Sequence, residues 1–175
     1  MKIRPEHLPA FDSETGDVNA IVETPRGSRY KFAYEKTSGL FQLKKALPAG
    51  LVLPFDFGFI PSTRAPDGDP LDVLLIAEEK LFPGCLVKAR LLGVLVCEQG
   101  KKGKLIRNDR VVAEPIMENV PARFHSINEL DHELIYQLEK FFILQHELEG
   151  KKFKVLETRG PKKAEKLVKA AVRKK

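Results

Sequence analysis

Apolar positions along the chain alternate or run on unbroken up to residue 113, and from residue 128 they recur every three or four. The first pattern is that of strands, alternating where one face is wet and continuous where both faces are buried; the second is that of a helix. Residues 18–24 alternate, Pro25-Arg26-Gly27-Ser28 makes a turn, and residues 29–34 alternate again with Tyr30, Phe32 and Tyr34 on one face. That pattern predicts a hairpin over 18–34. Ser38-Gly39 turns the chain into a strand at 40–44, and residues 54–61 are aromatic and bounded by prolines, as core beneath a loop or a pocket wall would be. Residues 73–77 read as a buried strand, residues 85–97 as a long, curved central one, and 99–104 as a glycine- and lysine-rich hairpin tip leading to another strand at 111–113. Over 128–149, Leu130, Leu134, Leu138, Phe141, Phe142 and Leu148 form one stripe, with Asn128 as N-cap and Gly150 as stop. A short strand at 153–156 and a basic helix opened by Pro161 close the chain.

Many short strands followed by helices predict one domain over 1–175, mainly β within an α+β chain. Its form is a small five-stranded OB-like barrel with flanking C-terminal helices, an irregular lead-in over 1–17 and a basic helix over 161–175. An apolar fraction of 43% with 31% charged residues is ordinary for a globular chain. No run is apolar enough to span a bilayer, residues 1–20 carry no signal-like apolar core, and Cys85 and Cys97 lie in apolar runs as core residues, so the expected setting is the cytoplasm. The net charge of +6 is unevenly spread: residues 151–175 hold 11 Lys and Arg against two Glu, whereas residues 1–150 hold 19 cations against 22 anions. The body is mildly acidic and the tail strongly basic.

Chemistry concentrates in Asp67-Gly68-Asp69-Pro70-Leu71-Asp72, three carboxylates in six residues bent by a glycine and a proline just before a buried strand. Like charges this close raise one another's pKa values unless a cation lies among them, and hard divalent ions such as Mg²⁺ favour carboxylate oxygens. If strands bearing Glu23, Lys31 and Lys44 share the same mouth, a carboxylate wall faces an ammonium wall. That pairing suits a metal shared with a phosphate-bearing anion.

On these residues the chain resembles the soluble family I inorganic pyrophosphatases. The signature Asp-x-Asp-Pro-x-Asp is complete in Asp67, Asp69, Pro70 and Asp72. Val22-Glu23-Thr24-Pro25, Lys31-Phe32, Ser38 to Phe41, Pro54 to Ile60, Pro83 to Leu95 and Phe141-Phe142 match family segments in the same order, over roughly residues 18–170. The resemblance implies hydrolysis of pyrophosphate to two phosphates, with Mg²⁺ as cofactor and Mn²⁺ as the alternative ion. It further implies a homo-oligomer, a hexamer at this length. It makes Asp69 the general base, Asp67 and Asp72 metal ligands, and Glu23, Lys31, Lys44 and Arg110 the substrate-binding set, with Lys44 in place of the family's arginine. Two further ligands are expected from a second acidic strand. Glu98 matches the first; for the second, strict spacing gives Asn108 and a one-residue slip gives Asp109, which as a carboxylate is preferred. Departures from the family are Ala33 for a glutamate, Leu53 and Phe57 for two tyrosines, and Gln145-His146 for a Tyr-Lys pair.

A phosphohydrolase with another phosphorylated substrate is one competing reading. A second is an OB-like module that stacks nucleic acid on Phe55, Phe57 and Phe59 with help from the basic tail, but an acidic loop repels a polyanion. A calcium loop fits poorly because the strand begins too soon, and His7, His125, His132 and His146 are too scattered for a metal site of their own.

Overall fold

The computed structural model describes residues 4–101 and 103–173. In chain order its elements are β1 (Val18–Thr24), β2 (Tyr30–Glu35), β3 (Leu40–Ala46), β4 (Asp56–Ile60), β5 (Leu71–Leu75), β6 (Leu86–Lys101), β7 (Lys104–Arg107), β8 (Arg110–Pro115), α1 (His132–Leu148), β9 (Lys152–Arg159) and α2 (Pro161–Ala171). Pairing runs β1–β4–β5–β8–β6 and returns from β6 to β1, so five strands close into the expected barrel. Closure removes the free edges that would otherwise invite aggregation. All these pairs are antiparallel except β5–β8, whose parallel register sets Asp72 beside Arg110. β6, 16 residues long, also carries β7 and β9 on its far half and changes phase at irregularities between Leu91 and Gly93 and between Val96 and Cys97.

Both faces of the barrel strands are covered, which is why their sequences read as unbroken apolar runs. Ala20, Val22, Val73, Leu75, Val111 and Ala113 pack on one side with Val168 of α2. Leu74, Leu95, Val112 and Phe57 pack on the other with Leu138 and Phe142 of α1 and Phe153 of β9.

Three expectations need correction. Residues 18–34 do not form a hairpin: β1 spends its hydrogen bonds on β4 and β6, and β2 pairs with β3 in a separate two-stranded sheet. The link between β1 and β2 is a side chain, Thr24 Oγ1, which donates to Phe32 O at 2.9 Å and accepts from Phe32 N at 3.0 Å. The long helix begins at His132, capped by Asp131, whose carboxylate accepts from Glu133 N; the residues around Asn128 form a separate 3-10 turn capped by Ser126. The last strand is also longer than 153–156, because β6 offers it a full edge. Lys174 and Lys175 of the basic tail, Lys102 of the hairpin tip and residues 1–3 of the lead-in lie outside the described residues. Among the described residues no helix is long and apolar enough to cross a membrane.

Candidate active site

The acidic loop joins β4 to β5 and is pinned from below. Ala65 N donates to Asp69 O at 2.7 Å and Gly68 N to Ala65 O at 2.9 Å. Gly68 sits at φ +96°, left-handed backbone that glycine adopts without strain. Thr63 Oγ1 donates to Ile60 O and accepts from Leu71 N at 3.0 Å, which fixes where β5 starts and therefore where Asp72 points. Asp69 N donates to Asp67 Oδ1 at 3.2 Å.

Two adjoining hollows, of 470 and 170 Å³, meet at this loop and share Lys31, Phe57, Asp69 and Asp72. Glu23 and Lys44 line the larger; Asp67, Asn108, Arg110 and Lys45 line the smaller. The fold thus brings together Asp67, Asp69, Asp72, Glu23, Lys31, Lys44 and Arg110, drawn from five strands and one loop. Glu23 Oε1 accepts from Tyr34 N at 2.7 Å, Lys31 Nζ lies 4.7 Å from the Phe57 ring centre, and Arg110 Nη2 lies 3.7 Å from Asp72 Oδ2. Lys44 is tied back to Gln42 Oε1 at 2.8 Å and Glu35 Oε2 at 3.2 Å.

Glu98 and Asp109 do not join this group. Asp109 Oδ1 accepts from Cys97 N at 2.9 Å and from Arg107 Nε at 2.5 Å, so it braces the β6–β8 side of the barrel. Its neighbour Asn108 takes the place at the cleft, donating from Nδ2 to Asp67 Oδ2 at 2.9 Å. Successive side chains of a strand point to opposite faces. Gln99 lines the smaller hollow and Glu98 therefore turns away from it, opposite Arg107 and Lys154. The second acidic strand delivers two carboxamides where carboxylates were expected. Lys45, Gln145 and His146 also line the smaller hollow. Strict spacing did point to Asn108, but nothing in the sequence marked Lys45, because an irregularity between Lys31 and Phe32 decides which of the two adjacent lysines faces which hollow. Phe55, Phe57 and Phe59 are 7%, 3% and 4% exposed, core side chains rather than a stacking surface.

Burial dominates the electrostatics. It raises Asp72 although Arg110 and Lys31 pull the other way, and it raises Asp67. It pushes Glu23 up to about 7, with Asp72 and Asp69 adding repulsion, and it lowers Lys31. Among the described residues no three His, Cys, Asp or Glu side chains are grouped closely enough to hold a metal unaided. The acidic loop still fits a divalent cation, because its carboxylates are hard oxygen donors and burial raises Asp67 and Asp72 even with Arg110 nearby. Water and substrate oxygens commonly fill the rest of such a sphere. The facing wall of carboxamides does not fit one.

His146 is buried in α1. Its Nδ1 lies 2.8 Å from Phe142 O, its Nε2 lies 3.0 Å from the Gln99 side chain, and its ring stacks on Phe153 with centres 4.7 Å apart. Burial above all holds its pKa down to about 4. The folded value lies below the ordinary 6.5, so the unfolded chain takes up the proton first; the stability this group contributes is present above pH 6.5 and lost as pH falls towards 4. Its full size is about 3 kcal/mol at the usual 1.36 kcal/mol per pKa unit. Glu23, whose pKa is raised to about 7, gains stability over the same fall in pH, so the His146 contribution is read as a difference: between pH 7 and pH 4.5 in urea unfolding, the native chain should change less favourably than His146→Gln by about that amount.

A family model described as inorganic pyrophosphatase matches residues 20–175. An inorganic pyrophosphatase of Nanoarchaeum equitans is 39% identical over 158 residues, 89% of this chain and 95% of that one. One from Halalkalibacterium halodurans is 35% identical over 138 residues, 79% of this chain and 82% of that one. The crystal structure of the inorganic pyrophosphatase from Thermus thermophilus superposes with a TM-score of 0.88 at 31% identity, covering 97% of each chain.

Proposed function

Given that the chain belongs to the soluble family I inorganic pyrophosphatases and hydrolyses inorganic pyrophosphate to two phosphates, we propose that Asp69 is its general base, with Asp67 and Asp72 as the ligands of its metal. The observation that carries this reading is the meeting of Asp67, Asp69 and Asp72 with Lys31 and Arg110 around one cleft. A bound divalent ion supplies a more acidic water and positive charge against the phosphoryl oxygens. Asp69 takes the proton as the water oxygen attacks one phosphorus. The bond from that phosphorus to the bridging oxygen breaks, and the departing phosphate takes its electron pair. Arg110, Lys31 and Lys44 hold that phosphate and stabilise its growing charge. Glu23, whose pKa burial raises to about 7, lies on the larger hollow's wall, where its protonated form can donate a hydrogen bond as well as accept one. The proposed ion is Mg²⁺, with Mn²⁺ as the alternative, and the proposed setting is a cytoplasmic homo-oligomer, a hexamer.

The test is phosphate release from pyrophosphate with Mg²⁺, after chelation, and after Mg²⁺ is restored. Chelation should cut the rate at least about a hundredfold, and restoration should recover it. A rate indifferent to chelation would remove the metal from this reading, and no release under any condition would remove the substrate.

A further inference from the structure

The smaller hollow has one wall that is poorly made for a cation and well made for an anion. Asn108 turns an amide N–H on Asp67 Oδ2 at 2.9 Å, and a donor there occupies the oxygen a metal on that side would need. His146 is a strong metal ligand in other settings, but both its ring nitrogens are engaged, Nδ1 with Phe142 O and Nε2 with Gln99. Beside them the Arg110 side chain is 4% exposed and lines the same hollow. Its guanidinium lies 4.3 Å from the Phe142 ring centre and 4.6 Å from that of Phe153. Those rings are only 5.5 Å apart, so they do not sandwich the guanidinium between them. Its Nε has no hydrogen-bond partner among the described residues, Nη1 reaches Asn108 O at a long 3.4 Å, and Nη2 stands 3.7 Å from Asp72. A guanidinium has five donors in a rigid fork matched to phosphate oxygens, and leaving them unmet in a buried place is costly. Lys31 stands at the same hollow with its charged form disfavoured by burial, a second group that an anion would relieve.

We propose that this wall binds phosphate directly, Arg110 supplying the charge a second cation would supply, so that the divalent ion is held by the acidic loop alone. The proposal deepens the pyrophosphatase reading and rests on it for the nature of the anion, but the binding itself needs no catalysis.

Two measurements on the full chain test it. In the first, inorganic phosphate is titrated calorimetrically in EDTA. Saturable binding is expected, weakened at least about tenfold in Arg110→Gln, with circular dichroism checking that the variant is folded. Binding that appears only once Mn²⁺ is added, or an Arg110→Gln chain that binds like the native one, overturns the proposal. In the second, Mn²⁺ bound per chain is counted by electron paramagnetic resonance. The native chain should bind fewer ions than the Gln99→Asp, Asn108→Asp double variant, and equal counts overturn the proposal without recourse to Arg110. Phosphate binding in EDTA from a chain that fails to cleave pyrophosphate would sink the functional reading and leave this one standing. Cleavage without metal-free binding would do the reverse.

Discussion

Asp69→Asn should lower kcat for pyrophosphate about a thousandfold, within the usual range for a lost general base, while leaving the fold intact. The substitution is nearly isosteric, and the backbone bonds that shape the loop survive it, since Ala65 N still meets the carbonyl of residue 69 and the amide of residue 69 still meets Asp67 Oδ1. What changes is that a carboxamide cannot accept the proton of an attacking water at neutral pH. KM should change little or fall, because one negative charge fewer repels the substrate. Thermal stability should hold or rise, because Asp69 contributes repulsion that raises its neighbours Asp67, Asp72 and Glu23. Steady-state phosphate release and a melting curve check the three statements together. A variant with native kcat would take the proton-accepting role away from Asp69, and a variant that melts early would make the rate uninformative.

Gly58→Ala should have the largest effect on stability, a loss above about 4 kcal/mol, which belongs to the exceptional tail of single substitutions, or no soluble folded chain at all. Gly58 lies mid-strand in β4, between β1 and β5, with Val22 and Val73 as its register partners. A Cβ there would come 2.0 Å from Ile21 O, 2.8 Å from Ile21 C and 3.0 Å from Val22 Cα. All three are backbone atoms, so relief means moving β1 itself. β1 is also the strand through which β6 closes the barrel, so the displacement spreads to the closure. Gly27→Ala makes the useful contrast: it has positive φ but nothing within 4 Å of the added atom, so its cost should stay near about 1 kcal/mol of backbone strain. Urea unfolding of the two variants checks the order; if they are destabilised equally, close approach is not what makes Gly58 special. Activity of Gly58→Ala should fall with the folded fraction, since Phe57, beneath Lys31, is carried by the same strand.

The sequence by itself determined the elements whose signal is local. The acidic loop with its glycine and proline, the apolar stripe of α1 and the buried runs of β5 and β6 follow from periodicity and turn chemistry acting over a few residues, and the number of short strands suggested a small barrel without saying which strands close it. The resemblance then named Glu23, Lys31, Lys44 and Arg110, and the fold does bring these to the cleft.

Only the tertiary structure decided which side of a strand each residue took. Glu98 and Asp109 carry the charge a metal site wants, yet they face away, while Gln99 and Asn108 face in. The reason is that side chains change face at every residue, so a slip of one exchanges the two sets. The phase along β6 is reset between Val96 and Cys97, where β9 pairs irregularly, and no local pattern announces it. The same holds for Lys44 and Lys45, and for β1, whose alternation suits a hairpin with β2 but whose partners are strands far along the chain. Composition and spacing set what each segment becomes; the irregularities of pairing, fixed only when distant strands meet, set which atoms it shows to the substrate.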